Sequence, residues 1–221
     1  MSSVLFGSIS TLADTSELQR RAFNEAFEAH GLDWNWSHDD YVSMLGSNGG
    51  QDRIAEFARG RDQDVDASSV HATKSSIFQE LLRSSGVSAR PGVLETVNRA
   101  KRDGHRLGFV TTTSADNIAA LFEALAPEVT SETFDIVVDR SAVSSGKPDP
   151  EVYRYALDQL GENAADAVAI EDNPGGVAAA HSAGVACVAF PNENTAAADF
   201  DGATATVDAL DADNIVALLK S

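Results

Sequence analysis

Three short segments carry the residue types that phosphate and metal chemistry need. Thr111-Thr112-Thr113-Ser114 sets four hydroxyls before a predicted helix, where free backbone N–H groups and side-chain hydroxyls converge on a place an anion could occupy. The plainer reading of that run is a turn and an N-cap. Ser145-Gly146-Lys147-Pro148-Asp149-Pro150 holds one lysine between stiffening prolines, so the chain aims its ammonium; otherwise Lys147 is a solvated side chain beside a helix start. Glu171-Asp172-Asn173-Pro174-Gly175-Gly176 places adjacent carboxylates before glycines that permit close backbone approach. Paired acids of this kind suit a hard, oxygen-ligated cation such as Mg²⁺, and the competing reading is a helix-capping aspartate with its neighbour.

Each segment follows a predicted strand. Val4–Phe6, Leu107–Val110, Phe134–Val138, Ala167–Ile170 and Val185–Phe190 are short apolar runs, with a weaker one at Ala203–Val207. From residue 93 onward they alternate with helical patterns over Val93–Arg102, Asn117–Leu125, the stretch after Pro150, Gly176–Ala183 and the C-terminal residues. That alternation predicts an α/β protein with a Rossmann-like parallel sheet, whose ligands sit at the carboxyl ends of the strands. Between the first strand and residue 86 the pattern is only helical: Ser16–His30, then Tyr41–Leu45, Arg53–Phe57 and Ile77–Leu82. The expected organisation is a core of residues 1–14 and 86–221 interrupted after its first strand by a small helical cap, residues 15–85.

Composition narrows the partners. The 221 residues are 43% hydrophobic, enough for a sizeable core, and carry 16 Lys+Arg against 34 Asp+Glu. A net charge of −18 without a basic stripe argues against nucleic acid and anionic membranes, so an anionic metabolite would need a local positive pocket. With no membrane-length apolar run and no signal-like start, the chain is expected to be cytoplasmic. The single cysteine, Cys187, reads as a small buried hydrophobe.

In this order the three segments, followed by Ala-Ala-His-Ser-Ala-Gly after Gly176, resemble the haloacid dehalogenase (HAD) hydrolase superfamily over nearly the whole chain. The insertion carries Leu45-Gly46-Ser47-Asn48-Gly49-Gly50-Gln51-Asp52-Arg53 and Lys74, with Arg90-Pro91-Gly92-Val93 at the return, which is similar to the β-phosphoglucomutase and CbbY-like branch. The resemblance implies a phosphatase or phosphomutase acting on a phosphorylated sugar, with Thr111, Thr112 and Lys147 meeting the phosphate and Arg53 and Lys74 reaching the substrate from the cap. It also implies Mg²⁺ held by Asp172, Glu171 and the backbone carbonyl of Ile9.

The same resemblance exposes a deficit. Members open with Asp-x-Asp-Gly-Thr-Leu-x-Asp-Thr, the first aspartate attacking phosphorus and the second acting as acid and base. Here the segment is Phe6-Gly7-Ser8-Ile9-Ser10-Thr11-Leu12-Ala13-Asp14-Thr15, and Thr11, Leu12, Asp14 and Thr15 hold the register. Gly7 has no side chain and Ile9 no proton to transfer, so aspartyl-phosphate turnover is not expected and a metal site would be weakened. Strand alternation is expected to point Ser8 away from the face of positions 7 and 9, and Asp14 to cap the following helix. If the pocket is otherwise intact, Gly7→Asp with Ile9→Asp should restore metal binding. Two other uses of the pocket stay open: an enzyme of different mechanism, through metal-bound water or non-phosphoryl chemistry, and a non-catalytic sensor, regulator or interaction domain.

Overall fold

The computed structural model describes residues 2–45 and 49–219. Gly46, Ser47 and Asn48, part of the cap motif, lie outside them. Among the described residues six strands form one parallel sheet: β1 (Ser3–Phe6), β2 (Arg106–Val110), β3 (Ile136–Val138), β4 (Ala167–Glu171), β5 (Ala186–Ala189) and β6 (Ala205–Thr206). Their order is β3-β2-β1-β4-β5-β6, so β1 is central, and the chain reverses its direction of travel across the sheet between β3 and β4. Strands buried on both faces read as unbroken apolar runs, which is why Val4, Leu5 and Phe6 are all fully buried.

The ten helices of the described residues are α1 (Ile9–Leu12), α2 (Ser16–Ala29), α3 (His38–Ser43), α4 (Gly50–Arg59), α5 (Ala67–Ser84), α6 (Val93–Arg102), α7 (Ala115–Leu125), α8 (Glu151–Leu160), α9 (Pro174–Ser182) and α10 (Ala212–Ala217). Every helix and strand expected from periodicity is present within a few residues, although the weak cap helices are longer than their patterns. The short α1 was not anticipated. Its four residues are too few for a periodic signal; it starts after Ser8, which is still extended, and closes with Ala13 N–H on the Ile9 carbonyl at 3.1 Å.

Apolar residues divide into clusters on the two faces of the sheet and a third among the inserted helices, where Phe23, Phe27, Trp34 and Trp36 pack with ring centroids 4.7–6.1 Å apart. Trp34 and Trp36 are therefore interior side chains. Helix α5 also joins the core, since Phe78, Leu81 and Leu82 pack with residues of β1, β2 and α7. Cys187 is buried on β5, and burial pushes its thiol far up from the ordinary range, as expected of an inert hydrophobe. Among the described residues, no helix is long and apolar enough to cross a membrane.

Candidate functional site

The strands deliver their C-terminal ends to a cleft beneath α2, α4 and α5. Two connected cavities of about 300 and 900 Å³ share Ser10, Gln19, Tyr41, Arg53, Thr112 and Asp172. Lys147 lines the smaller cavity; Thr111, Ile9 and Lys74 line the larger. The fold thus gathers every residue singled out for phosphate or substrate contact into or beside one cleft, although their positions span most of the chain.

At the end of β1 the missing side chain of Gly7 is not an empty place. A Cβ there would overlap the Glu171 carboxyl group and lie 2.5 Å from Tyr153 Oη, closer than real Cβ contacts come. Gly176 is crowded by the same carboxylate. Glu171, fully buried at the end of β4, thus fills a slot that two glycines leave open. Its Oε1 accepts from Lys147 Nζ at 2.6 Å and from Tyr153 Oη at 2.6 Å. Lys147 also donates to the carbonyls of Gly7 and of Val110, the latter at 2.8 Å, so its three N–H bonds all point inward. Burial pushes the Glu171 carboxyl above its usual range against the pull of the Lys147 ammonium, and it raises the Tyr153 phenol well above ordinary tyrosine. The geometry corrects two sequence expectations. Glu171 faces Lys147 instead of a cation, and aspartate at position 7 cannot be added without displacing it.

Asp172 is held differently. Its Oδ1 accepts from Ser8 Oγ at 2.6 Å and Asn173 Nδ2 at 2.9 Å, and its Oδ2 accepts from Asn192 Nδ2 at 2.5 Å. Ser8, still extended, points away from the Gly7 slot as alternation leads one to expect, and that direction carries its hydroxyl to Asp172; Ile9 does not share the Gly7 side, because α1 begins there. The Ile9 carbonyl, expected as a metal ligand, accepts the α1 hydrogen bond, while its side chain is buried in the core. Asp14 accepts from Ser16 N–H at 3.1 Å at the start of α2, although the N-cap position is Thr15 and not Asp14.

These donors test a Mg²⁺ site directly. A hard cation needs oxygen ligands to converge on it. Here one carboxylate is turned to a lysine, the other has hydrogen bonds on both oxygens, and no group of three or more His, Cys, Asp or Glu converges among the described residues. The residues present do not fit the cation.

At the end of β2, Ser114 Oγ accepts from Asn117 N–H at 3.4 Å and caps α7, while Thr111 Oγ1 accepts from Thr113 N–H at 3.3 Å. The plainer capping role therefore belongs to Ser114, leaving Thr111 and Thr112 on the cavity wall. Arg53 is buried, donates to the Met44 carbonyl at 3.1 Å and lies 5.5 Å from the Tyr41 ring centroid. Lys74 is 5% exposed and donates to Gln19 Oε1. Three residues were missed: Tyr153, Asn192 and Asn194. Tyr153 stands at an ordinary core position of α8, and Asn192 and Asn194 belong to a turn after β5 that is bonded within itself and reaches Asp172, 20 residues earlier, through Asn192. Asn194 is 3% exposed on the smaller cavity, with neither amide atom hydrogen-bonded, an arrangement that points to a ligand.

A Rossmann-like sheet of this order, an α-helical insertion after β1 and a lysine meeting the end of β1 define the class: the chain belongs to the haloacid dehalogenase-like hydrolase family, whose model matches residues 10–190. Within it the chain falls in the CbbY and phosphoglucomutase-like branch. It is 38% identical to protein CbbY of Cereibacter sphaeroides over 208 residues, covering 93% of this chain and 90% of that protein. The crystal structure of CbbY from Rhodobacter sphaeroides in complex with phosphate superposes with a TM-score of 0.88 at 38% identity, covering 95% of this chain and 94% of that one. A mutant of the same protein was crystallised with xylulose-(1,5)bisphosphate, with the same score and coverage.

Proposed function

We propose that this protein binds a small phosphorylated metabolite, of the phosphorylated-sugar class, without hydrolysing it through an aspartyl-phosphate. One observation carries the reading: the Glu171 carboxylate, bonded to Lys147 and Tyr153, fills the slot that a nucleophile at position 7 would need. Ile9 supplies no acid or base in its place. The cleft nevertheless keeps groups that an inert relic has no need to hold: the Arg53 cation and the Lys74 amine from the helices, Thr111 and Thr112 after β2, and the unpartnered Asn194 amide. We take residues 15–85 as the cap that closes over this ligand, with 1–14 and 86–221 as the core. Binding proceeds without Mg²⁺, since Ser8, Asn173 and Asn192 meet the charge of Asp172 in a cation's stead. CbbY, crystallised with phosphate and with xylulose-(1,5)bisphosphate, suggests the first compounds to try.

Calorimetric titration with xylulose 1,5-bisphosphate and with inorganic phosphate, in EDTA and again in Mg²⁺, tests the reading beside an assay of released phosphate. The expected result is binding of equal affinity in both buffers and no release above the buffer rate. Mg²⁺-dependent release abolished by Asp172→Ala would overturn the loss of chemistry. Failure of a panel of sugar phosphates to bind would overturn the ligand and leave an interaction domain.

A further inference from the structure

Lys74 is built unlike an anion-binding lysine. Its ammonium lies 4.8 Å from the ring centroids of both Phe23 on α2 and Phe78 on its own helix, and Gln19 is its hydrogen-bond partner. No carboxylate of the described residues lies within ion-pair distance. The charged and titratable groups around it are Arg53 from α4, which opposes its protonation, and His71, three residues earlier on the same face of α5 and itself close to Asp52 of α4. Burial foremost, and Arg53 after it, lower the Lys74 amine from 10.5 to about 7. His71 is lowered too, mainly by burial. A site meant to hold phosphate by charge keeps its ammonium charged, whereas desolvation beside another cation makes an amine a nucleophile at neutral pH. Lys74 also lines the larger cavity together with Arg53, Thr111 and Thr112, so a small molecule in the cleft reaches it.

We propose that Lys74 is a nucleophilic amine that condenses with the carbonyl group of a small aldehyde or ketone whose phosphate lies elsewhere in the cleft. The Nζ lone pair attacks the carbonyl carbon, and the carbonyl oxygen takes up the proton that nitrogen gives up, forming a carbinolamine. The carbinolamine nitrogen then expels the hydroxyl as water and forms the C=N double bond, so amine plus carbonyl gives imine plus one water with no change of oxidation state. His71 is placed to carry the proton between nitrogen and oxygen. The inference rests on the ligand reading above for the phosphate, and adds the carbonyl and the covalent bond.

The chain has four lysines, Lys74, Lys101, Lys147 and Lys220, which makes trapping selective. The intact protein is incubated with dihydroxyacetone phosphate and sodium cyanoborohydride, and the reduced adduct is located by mass spectrometry. The expected result is one adduct on Lys74, at least ~10-fold over the other lysines, with a rate that rises through neutral pH and levels off about three pH units below an ordinary lysine. Lys74→Arg keeps a long, nitrogen-bearing side chain but removes the nucleophilic amine, and should abolish it. Adduct spread evenly over the lysines, or persisting in Lys74→Arg, overturns the proposal. Calorimetric binding of the same ketone phosphate without an adduct overturns the amine chemistry alone, while no binding of any sugar phosphate overturns the ligand reading. Competitive acetylation with acetic anhydride needs no ligand: reactivity of Lys74 that titrates as an ordinary lysine, near ~10.4, also refutes the inference.

Discussion

Replacing Gly7 by alanine asks whether Glu171 holds the nucleophile's slot. The added Cβ would overlap the Glu171 carboxyl group and meet Tyr153 Oη at 2.5 Å, so the carboxylate must leave Lys147 or the strands must part. Breaking a buried ion pair from one side costs about 3–5 kcal/mol. Parting a packed core costs ~1–3 kcal/mol. Gly7→Ala should therefore lose about 3 kcal/mol or more, read as a fall in the urea midpoint of more than ~1 M at an m-value of about 2–3 kcal/mol/M. Gly7→Asp should be at least as damaging, because it sets a second carboxylate against Glu171. Glu171→Ala should also be costly, because it strands Lys147. Combined, Gly7→Asp and Glu171→Ala put one carboxylate back into one slot, and the double variant should be about 2 kcal/mol more stable than the sum of the singles predicts. Adding Ile9→Asp to Gly7→Asp while leaving Glu171 in place should not restore a metal site; it also buries a carboxylate among core side chains. Gly7→Ala within ~0.5 kcal/mol of the parent, or additivity of the double variant to the same margin, would refute the reasoning.

Lys74→Met tests the buried amine as a stability effect. With a folded value of about 7 and an unfolded value near ~10.4, the unfolded chain holds a proton that the folded chain releases between those pH values, so stability rises with pH across that window. Lys74→Met should accordingly stabilise the fold by ~1–4 kcal/mol at pH 6, a gain that shrinks toward pH 10, and urea melts at both pH values check it. Ser8→Ala removes a 2.6 Å hydrogen bond to the Asp172 carboxylate and should cost ~1.5–3 kcal/mol; an unchanged urea midpoint would show that Asp172 does not depend on Ser8.

Much of the fold was legible because its signals are local. Apolar runs at Val4–Phe6 and Ala167–Ile170, helical spacing over Val93–Arg102 and the alternation of the two dictate strands, helices and a parallel sheet before any contact is known. The proposed deficit at Gly7 and Ile9 is read from the sequence alone, since Thr11 and Asp14 hold the register and side-chain chemistry is a property of residue type. Position relative to the cleft was legible too, because ligands of such sheets gather at the strand ends.

What tertiary structure alone decided is where each charge points. The acidic pair Glu171-Asp172 looks like one metal site in sequence, yet β4 ends at Glu171 and the two side chains part there. Glu171 goes down between Gly7 and Gly176 to Lys147, and Asp172 stays up among Ser8, Asn173 and Asn192. Neither the volume vacated by Gly7 nor the hydroxyl of Tyr153, 18 residues before Glu171, can be inferred from sequence spacing. Lys74 shows the same limit in energetic terms. A lysine on a helix reads as a solvated charge, and only the packing of Phe23 and Phe78 around it, beside Arg53, strips away the water that keeps an amine protonated. Residue type says that Gly7 carries no side chain, and only the folded chain puts the Glu171 carboxyl group where a Cβ at position 7 would lie.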